Sequence, residues 1–247
     1  MGYFKFIEVN AVSLNQVNIK KHIPNTLTLC NLCLGFLSIT ESSRGDFVWG
    51  ALFIFAALIP DFLDGLVARV LKVASPIGKD LDSLADMVSF GLAPAFLIFQ
   101  FGSNNTELSG TILKYLPVLF AAFAALRLAK FNNDERQSDD FYGLATPSAS
   151  LFLASLPLIY EQNKFDLGWI AIQSTTLCIS IIVLSVLMVS NVRLFSLKVK
   201  NLKWRGNEYR YTLLILAVIY FTIFGYWGIP FLIITYLILS LFRNFAE

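Results

Sequence analysis

Charge is scarce in this chain. Asp, Glu, Lys and Arg make up 15% of its 247 residues, against about a quarter in an ordinary globular domain. With 56% hydrophobic residues, that shortage excludes a soluble domain and points to a polytopic membrane protein. Histidine is almost absent: His22 is the only one, remote from any other candidate ligand. Cysteine is nearly as rare. Cys30 and Cys33 spell C-x-x-C, but no second pair or strand context supports a zinc or redox site, so all three cysteines read as small apolar side chains. Internal repeats, low-complexity linkers and any segment long enough for a soluble domain are also missing. No cleavable signal peptide is visible, so the first span is expected to act as its own insertion signal.

What is present is a succession of apolar segments. A span needs roughly 20 predominantly apolar residues. On that measure helices are expected over 24–41, 46–72, 79–101, 112–131, 146–161, 168–190, 210–226 and 229–244. The fifth is short and contains Pro157. The last two are separated by Tyr226-Trp227-Gly228-Ile229-Pro230, which reads as a tight turn. The fold class is thus all-α, a membrane bundle of about eight helices with both termini on one side. Of the nineteen Lys and Arg residues, only Arg44, Lys114 and Lys164 fall on the opposite side. The positive-inside rule therefore makes the termini cytoplasmic. Residues 10–22 mix apolar and basic positions and suit either an interfacial helix or a solvated tail. Residues 1–22 are read as a cytoplasmic or interfacial segment and 23–247 as one membrane domain. The basic 193–210 segment reads as an anchor to anionic lipid.

Against this apolar background four carboxylates stand out: Asp61 and Asp64 in the second span, Asp82 and Asp86 in the third. An ionised carboxylate in hydrocarbon is costly and is by default a functional-site candidate. Spacings of three and four place each pair on one helical face, and the intervening 70–80 connection places both pairs near the cytoplasm. If the faces meet, like charges converge and need a counterion. Carboxylate oxygens with no His or Cys nearby favour hard cations such as magnesium or manganese. Gly65, Ala68 and Gly78 in the same stripe would let an extended ligand approach the backbone. Arg69 and Lys79 would supply positive charge suited to phosphate oxygens. A metal-bound pyrophosphate fits such a site.

Together these residues read D-x2-D-G-x2-A-R-x8-G-x3-D-x3-D. The pattern resembles the signature of the CDP-alcohol phosphatidyltransferase family. Four further segments resemble the membrane phosphatidylserine synthases of that family: I-P-N-T-L-T at 23–28, S-L-A-D-M-V-S-F-G-L-A-P-A at 83–95, R-L-A-K-F-N at 127–132 and G-L-A-T-P-S-A at 143–149. The resemblance implies transfer of a phosphatidyl group from CDP-diacylglycerol to L-serine in the inner membrane, with the active site facing the cytoplasm and no nucleic-acid partner. It also implies that Asp61, Asp64 and Asp82 hold divalent metal (Mg2+ or Mn2+, two ions), with Asp86 as general base touching the second ion. Gly65, Ala68, Arg69 and Gly78 would bind the CDP-lipid. Asn25 and Thr28 would join them, or simply cap the first helix. Arg127 and Lys130 would meet the acceptor, and Arg127 has the alternative reading of a snorkelling anchor. Lys130 stands where arginine is common, which gives up bidentate geometry. A homodimer is common in the family.

Two rival functions remain at this level. One is the same chemistry with glycerol phosphate or inositol phosphate as acceptor, which would want more basic residues than Arg127 and Lys130. The other is a cation- or proton-coupled transporter, which would show related halves or broken helices that are not evident here.

Overall fold

The computed structural model describes residues 22–73, 75–105, 112–133, 140–195 and 207–246. The 10–22 segment, read as either an interfacial helix or a solvated tail, falls outside this range except for its last residue, as does most of the basic 193–210 segment. Helical units occupy all eight expected intervals. They are α1 (His22–Ser43), α2 (Phe47–Leu71), α3 (Pro76–Asp86) running into α4 (Ala93–Asn105), α5 (Pro117–Asn133), α6 (Thr146–Gln162), α7 (Trp169–Ile172) leading into α8 (Ser174–Val189), α9 (Glu208–Phe224) and α10 (Gly228–Ala246). Among the described residues five segments are long and apolar enough to cross a membrane: His22–Ser43, Phe47–Leu71, Pro76–Asn104, Ile112–Asn133 and Glu208–Asn244. The last comprises α9 and α10, joined at Gly225 in the left-handed region (φ 62°). The protein is an all-α polytopic membrane protein.

α6 and α8, at 17 and 16 residues, are shorter than a lipid-exposed span requires. For α6 the reason is burial. Nearly every residue from Ala149 to Ile159 is covered by protein, so its length and Pro157 answer to neighbouring helices rather than to hydrocarbon thickness. One apolar cluster joins α4, α5, α6 and α8 through Ile98, Phe101, Phe120, Leu153, Leu177 and Leu184. A second joins α2, α4 and α6 through Ile54, Ala57, Phe90, Leu97 and Leu158. α4 and α6 belong to both and form the middle of the bundle. Phe36, Ile59, Phe62, Ile179, Val186 and Phe221 are exposed on its outside, where acyl chains would cover them.

Three local features depart from the regular spans. The segment expected as one helix over 79–101 is interrupted directly after Asp86 by a six-residue π-helical turn, Met87–Leu92. Pro94, four residues after Phe90, has no N–H to offer the Phe90 carbonyl, and the Ser150 hydroxyl of α6 donates to that carbonyl instead. Second, two three-residue strands, β1 (Asp140–Tyr142) and β2 (Arg193–Phe195), pair antiparallel with Phe141 opposite Leu194. They fasten the chain after α5 to the chain after α8. Third, the expected tight turn at 226–230 is a 3-10 turn over Gly225–Trp227, and Ile229 and Pro230 already belong to α10. Proline is tolerated in a first helical turn because its missing N–H would be unpaired there anyway.

α1 carries its polarity inward. Its buried residues are Pro24, Thr28, Asn31, Gly35, Ser38 and Ser42, while Leu29, Phe36 and Leu37 point outward. From Pro24 onward the spacing is four-three repeating, one seam of a helix made of small and polar side chains that permits close approach. The approach is tightest at Gly35, where an added Cβ would lie 2.7 Å from Ser89 Cα in the π turn. Because backbone cannot yield as a side chain does, Gly35→Ala is expected to destabilise the bundle by about 1–3 kcal/mol. The thermal transition in detergent checks this; an unchanged midpoint would show that α1 is free to move away.

Candidate active site

The carboxylates reach one place from two helices, and the connection between those helices is built to return the chain sharply. α2 ends at Lys72 in the left-handed region (φ 53°), its N–H bonded back to Ala68 and Arg69 carbonyls. α3 begins four residues later. Ser75 caps it by accepting from Gly78 N–H at 3.1 Å, and Pro76 occupies its first turn. Asp61 and Asp64 on α2 thereby face Asp82 on α3, and the three can each present a carboxylate oxygen within 4.8 Å of the other two. Asp64 is buried, while Asp61 and Asp82 are half-buried. Asp86, one turn further along α3, is also buried and lies within hydrogen-bonding reach of Asp61. Asp80 is exposed at the helix mouth.

α1 completes the arrangement by donating to both pairs. Thr28 Oγ1 donates to Asp64 Oδ2 and also to the Pro24 carbonyl of its own helix. Asn31 Nδ2 donates to Asp86 Oδ1 at 2.9 Å. Thr28 is in the second turn of α1, which begins at His22, so helix-start capping does not describe it. Asn31 is a residue that sequence reasoning passed over. The available signal was a polar side chain continuing the Asn25–Thr28 spacing into an otherwise apolar helix.

Beside the carboxylates opens a cavity of about 250 Å³. It is lined by Pro24, Asn25 and Thr28 of α1, by Asp64, Gly65, Ala68 and Arg69 of α2, and by Gly78, Lys79 and Asp82 of α3, with Val73 and Ser75 between them. Nine of the residues singled out from the sequence are thus gathered on one wall system, and Asp61 and Asp86 stand beside it. At Gly65 an added Cβ would meet nothing within 4 Å, so this glycine keeps space open. At Gly78 it would lie 3.4 Å from Asn25 Oδ1 and 3.2 Å from Ser75 Oγ. Lys79 at the rim donates from Nζ to the Asn132 carbonyl at 2.8 Å. Asn132 Nδ2 in turn donates to Ser83 at 2.7 Å, so the end of α5 is tied to α3 at the cavity mouth.

Arg127 and Lys130 do not line this cavity. Arg127 is 3% exposed, with Nε donating to the Leu144 carbonyl at 3.3 Å and the guanidinium 5.1 Å from the Phe131 ring centre. A snorkelling anchor would keep its head group in solvent, so that alternative does not describe it. Lys130 turns to the end of α8, donating to the Val189 carbonyl at 3.1 Å and to Asn191 Oδ1 at 2.8 Å. Carbonyls at a helix C-terminus lack intrahelical donors, which accounts for this contact.

The donor set consists of carboxylate oxygens converging from two helices, with neither thiolate nor imidazole among them. Such a set suits a hard divalent cation, and Asp61, Asp64 and Asp82 are the residues that would hold it. Their mutual repulsion, in a bundle otherwise made of apolar side chains, is what that charge would relieve.

Comparison with known proteins agrees with this geometry. The family model described as CDP-alcohol phosphatidyltransferase matches residues 21–242. Among curated proteins, a Helicobacter pylori CDP-diacylglycerol–serine O-phosphatidyltransferase is 34% identical over 200 residues, covering 80% of this chain and 81% of the relative. A Bacillus subtilis protein of the same name is 31% identical over 147 residues, or 60% of this chain and 81% of the relative. An archaetidylserine synthase of Methanothermobacter thermautotrophicus is 31% identical over 164 residues, covering 64% and 67%. The match runs from the start of α1 almost to the end of α10 and contains both aspartate helices; this protein is an enzyme of the CDP-alcohol phosphatidyltransferase family.

Proposed function

We propose that this enzyme transfers the phosphatidyl group of CDP-diacylglycerol to the hydroxyl of L-serine, releasing CMP and phosphatidylserine. The observation that carries the reading is the gathering of Asp61, Asp64 and Asp82 beside a cavity whose walls are the motif residues Gly65, Ala68, Arg69 and Gly78. The choice of serine is supported by the names of the bacterial relatives, and the archaeal relative is also named for a serine lipid.

In this reading the CDP portion enters the cavity, with Arg69 and Lys79 offering positive charge to its phosphates and Gly65 and Gly78 allowing it close to the backbone. Asn25 lines the nucleotide side, and Thr28 holds the Asp64 carboxylate in place. Mg2+ or Mn2+ bound by Asp61, Asp64 and Asp82, with a second ion also touching Asp86, would neutralise the pyrophosphate and the departing CMP phosphate. Asp86 accepts the proton of the serine hydroxyl. The serine oxygen attacks the phosphatidyl phosphorus, the bond from that phosphorus to the bridging oxygen breaks, and CMP leaves with the electron pair. Of the two acceptor-side cations, Arg127 is favoured for the serine carboxylate. It is held inside the bundle, whereas the ammonium of Lys130 is engaged at the end of α8. The distribution of Lys and Arg supports an inner-membrane enzyme with its site toward the cytoplasm, and a homodimer is in keeping with the resemblance.

Purified protein given CDP-diacylglycerol, Mg2+ or Mn2+ and labelled serine should release CMP and form phosphatidylserine, and chelation with EDTA should stop turnover. Product with glycerol phosphate or inositol phosphate, and none with serine, would overturn the acceptor. Arg127→Ala should raise the KM for serine well above any change in the KM for CDP-diacylglycerol; an equal rise in both would remove it from the acceptor site. Gly65→Ala should leave the thermal midpoint unchanged or raised, since alanine is favoured over glycine in a helix by roughly 1 kcal/mol. Its methyl group would occupy open cavity, so the KM for CDP-diacylglycerol should rise on the order of tenfold, or about 1.4 kcal/mol. Parent-like kinetics would show that the lipid nucleotide binds elsewhere.

A further inference from the structure

Asp86 ends the regular part of α3, and the helix widens into the π turn immediately after it. Asp86 itself keeps regular helical dihedrals (φ −61°, ψ −36°), which set the direction of its Cα–Cβ bond but leave the carboxylate free to turn about its side-chain torsions. The contact that reaches it comes from another helix. Asn31 of α1 is fully buried, and its Nδ2 lies 2.9 Å from Asp86 Oδ1. An ionised carboxylate only accepts hydrogen bonds, so the donor end of the amide must face it. The amide oxygen then points away and meets no donor among the described residues.

A buried amide with one half unsatisfied is a poor choice for packing alone, because a leucine would fill similar volume without a polar atom to desolvate. Asn31 is also not a wall of the cavity, unlike Thr28 one turn earlier. The approach that makes the contact possible is itself built in. Gly35, four residues on and on the same face of α1, lies against Ser89, three residues beyond Asp86. Asp86 is thus held from α1 by Asn31 while its carboxyl group also lies within reach of Asp61 on α2.

We infer that Asn31 is a positioning residue for the phosphatidyl transfer: its amide donor fixes one oxygen of Asp86 and so orients the carboxylate that takes the proton from the acceptor alcohol. This role rests on the reading of Asp86 as the base. It acts through Asp86, so it belongs to turnover and not to binding of the CDP-lipid.

The test is steady-state kinetics of the full-length enzyme in detergent with CDP-diacylglycerol and serine, on Asn31→Leu and the isosteric Asn31→Asp. The Asp86→Asn variant and thermal midpoints are measured in parallel. Both Asn31 variants should lose kcat by about 10- to 100-fold, the size seen when a supporting partner of a site residue is removed. The KM for CDP-diacylglycerol should stay within about twofold of the parent. A parent-like kcat, or kcat and that KM worsening in proportion, overturns the inference. Failure of both variants to fold assigns Asn31 to stability and overturns it as well. An active Asp86→Asn would sink the base reading itself. An inactive Asp86→Asn beside fully active Asn31 variants would leave the base standing and remove only its positioning by Asn31.

Discussion

Carboxylates repel, and the more so where burial takes them out of water; the central features of this site follow from holding four of them together. The solution is α1, a helix whose polar and small residues face inward and whose large apolar residues face out. Thr28 donates to Asp64 of α2, Asn31 donates to Asp86 of α3, and Gly35 lets the two backbones close to contact. One stripe of one helix thereby fixes both aspartate helices relative to each other. In hydrocarbon, where burial of apolar surface does not drive helices together, such hydrogen bonds and close approaches are what is left to do it.

The remaining helices make that arrangement rigid. α6 sits in the middle of the bundle, shared by both apolar clusters, and its Ser150 donates to the Phe90 carbonyl in the π turn. At the rim, Lys79, Asn132 and Ser83 tie α5 to α3, so the element carrying Arg127 is mechanically joined to the mouth of the cavity. The chemistry of the family needs a charged, metal-binding head-group site whose lipid tails stay in the membrane. A cavity between three helix ends with Asp64, Asp82, Arg69 and Lys79 in its walls, in a bundle with exposed aliphatic and aromatic side chains on its outside, has that form.

Much of this was legible in the sequence because the constraints concerned are local. Hydrocarbon thickness demands long apolar runs, and all eight expected intervals hold helices within a few residues. The spacing of Asp61, Asp64, Gly65, Ala68 and Arg69 places them along one side of one helix, and the cavity gathers most of that set. The π turn was not legible: nothing in M-V-S-F-G-L distinguishes a wide turn from a regular one, and the donor to its Phe90 carbonyl is Ser150, sixty residues away. Nor was the β1–β2 pair, whose three-residue strands are too short to carry a periodic signal. Arg127 and Lys130 stand three apart on one helix, yet one is held inside the bundle and the other braces α8, a distinction that depends on which helix lies opposite.

The sequence by itself determined the class of protein, the positions of its helices, the four carboxylates and the family to which their spacing belongs, because each depends on residues within a turn or two of one another and on the cost of charge in lipid. Only the tertiary structure decided which three carboxylates converge, that α1 grips both pairs, and that Asn31 meets Asp86. Those contacts join side chains as far as 55 residues apart. Such pairings leave no periodic trace in the chain, since what selects them is the packing of one helix face against another.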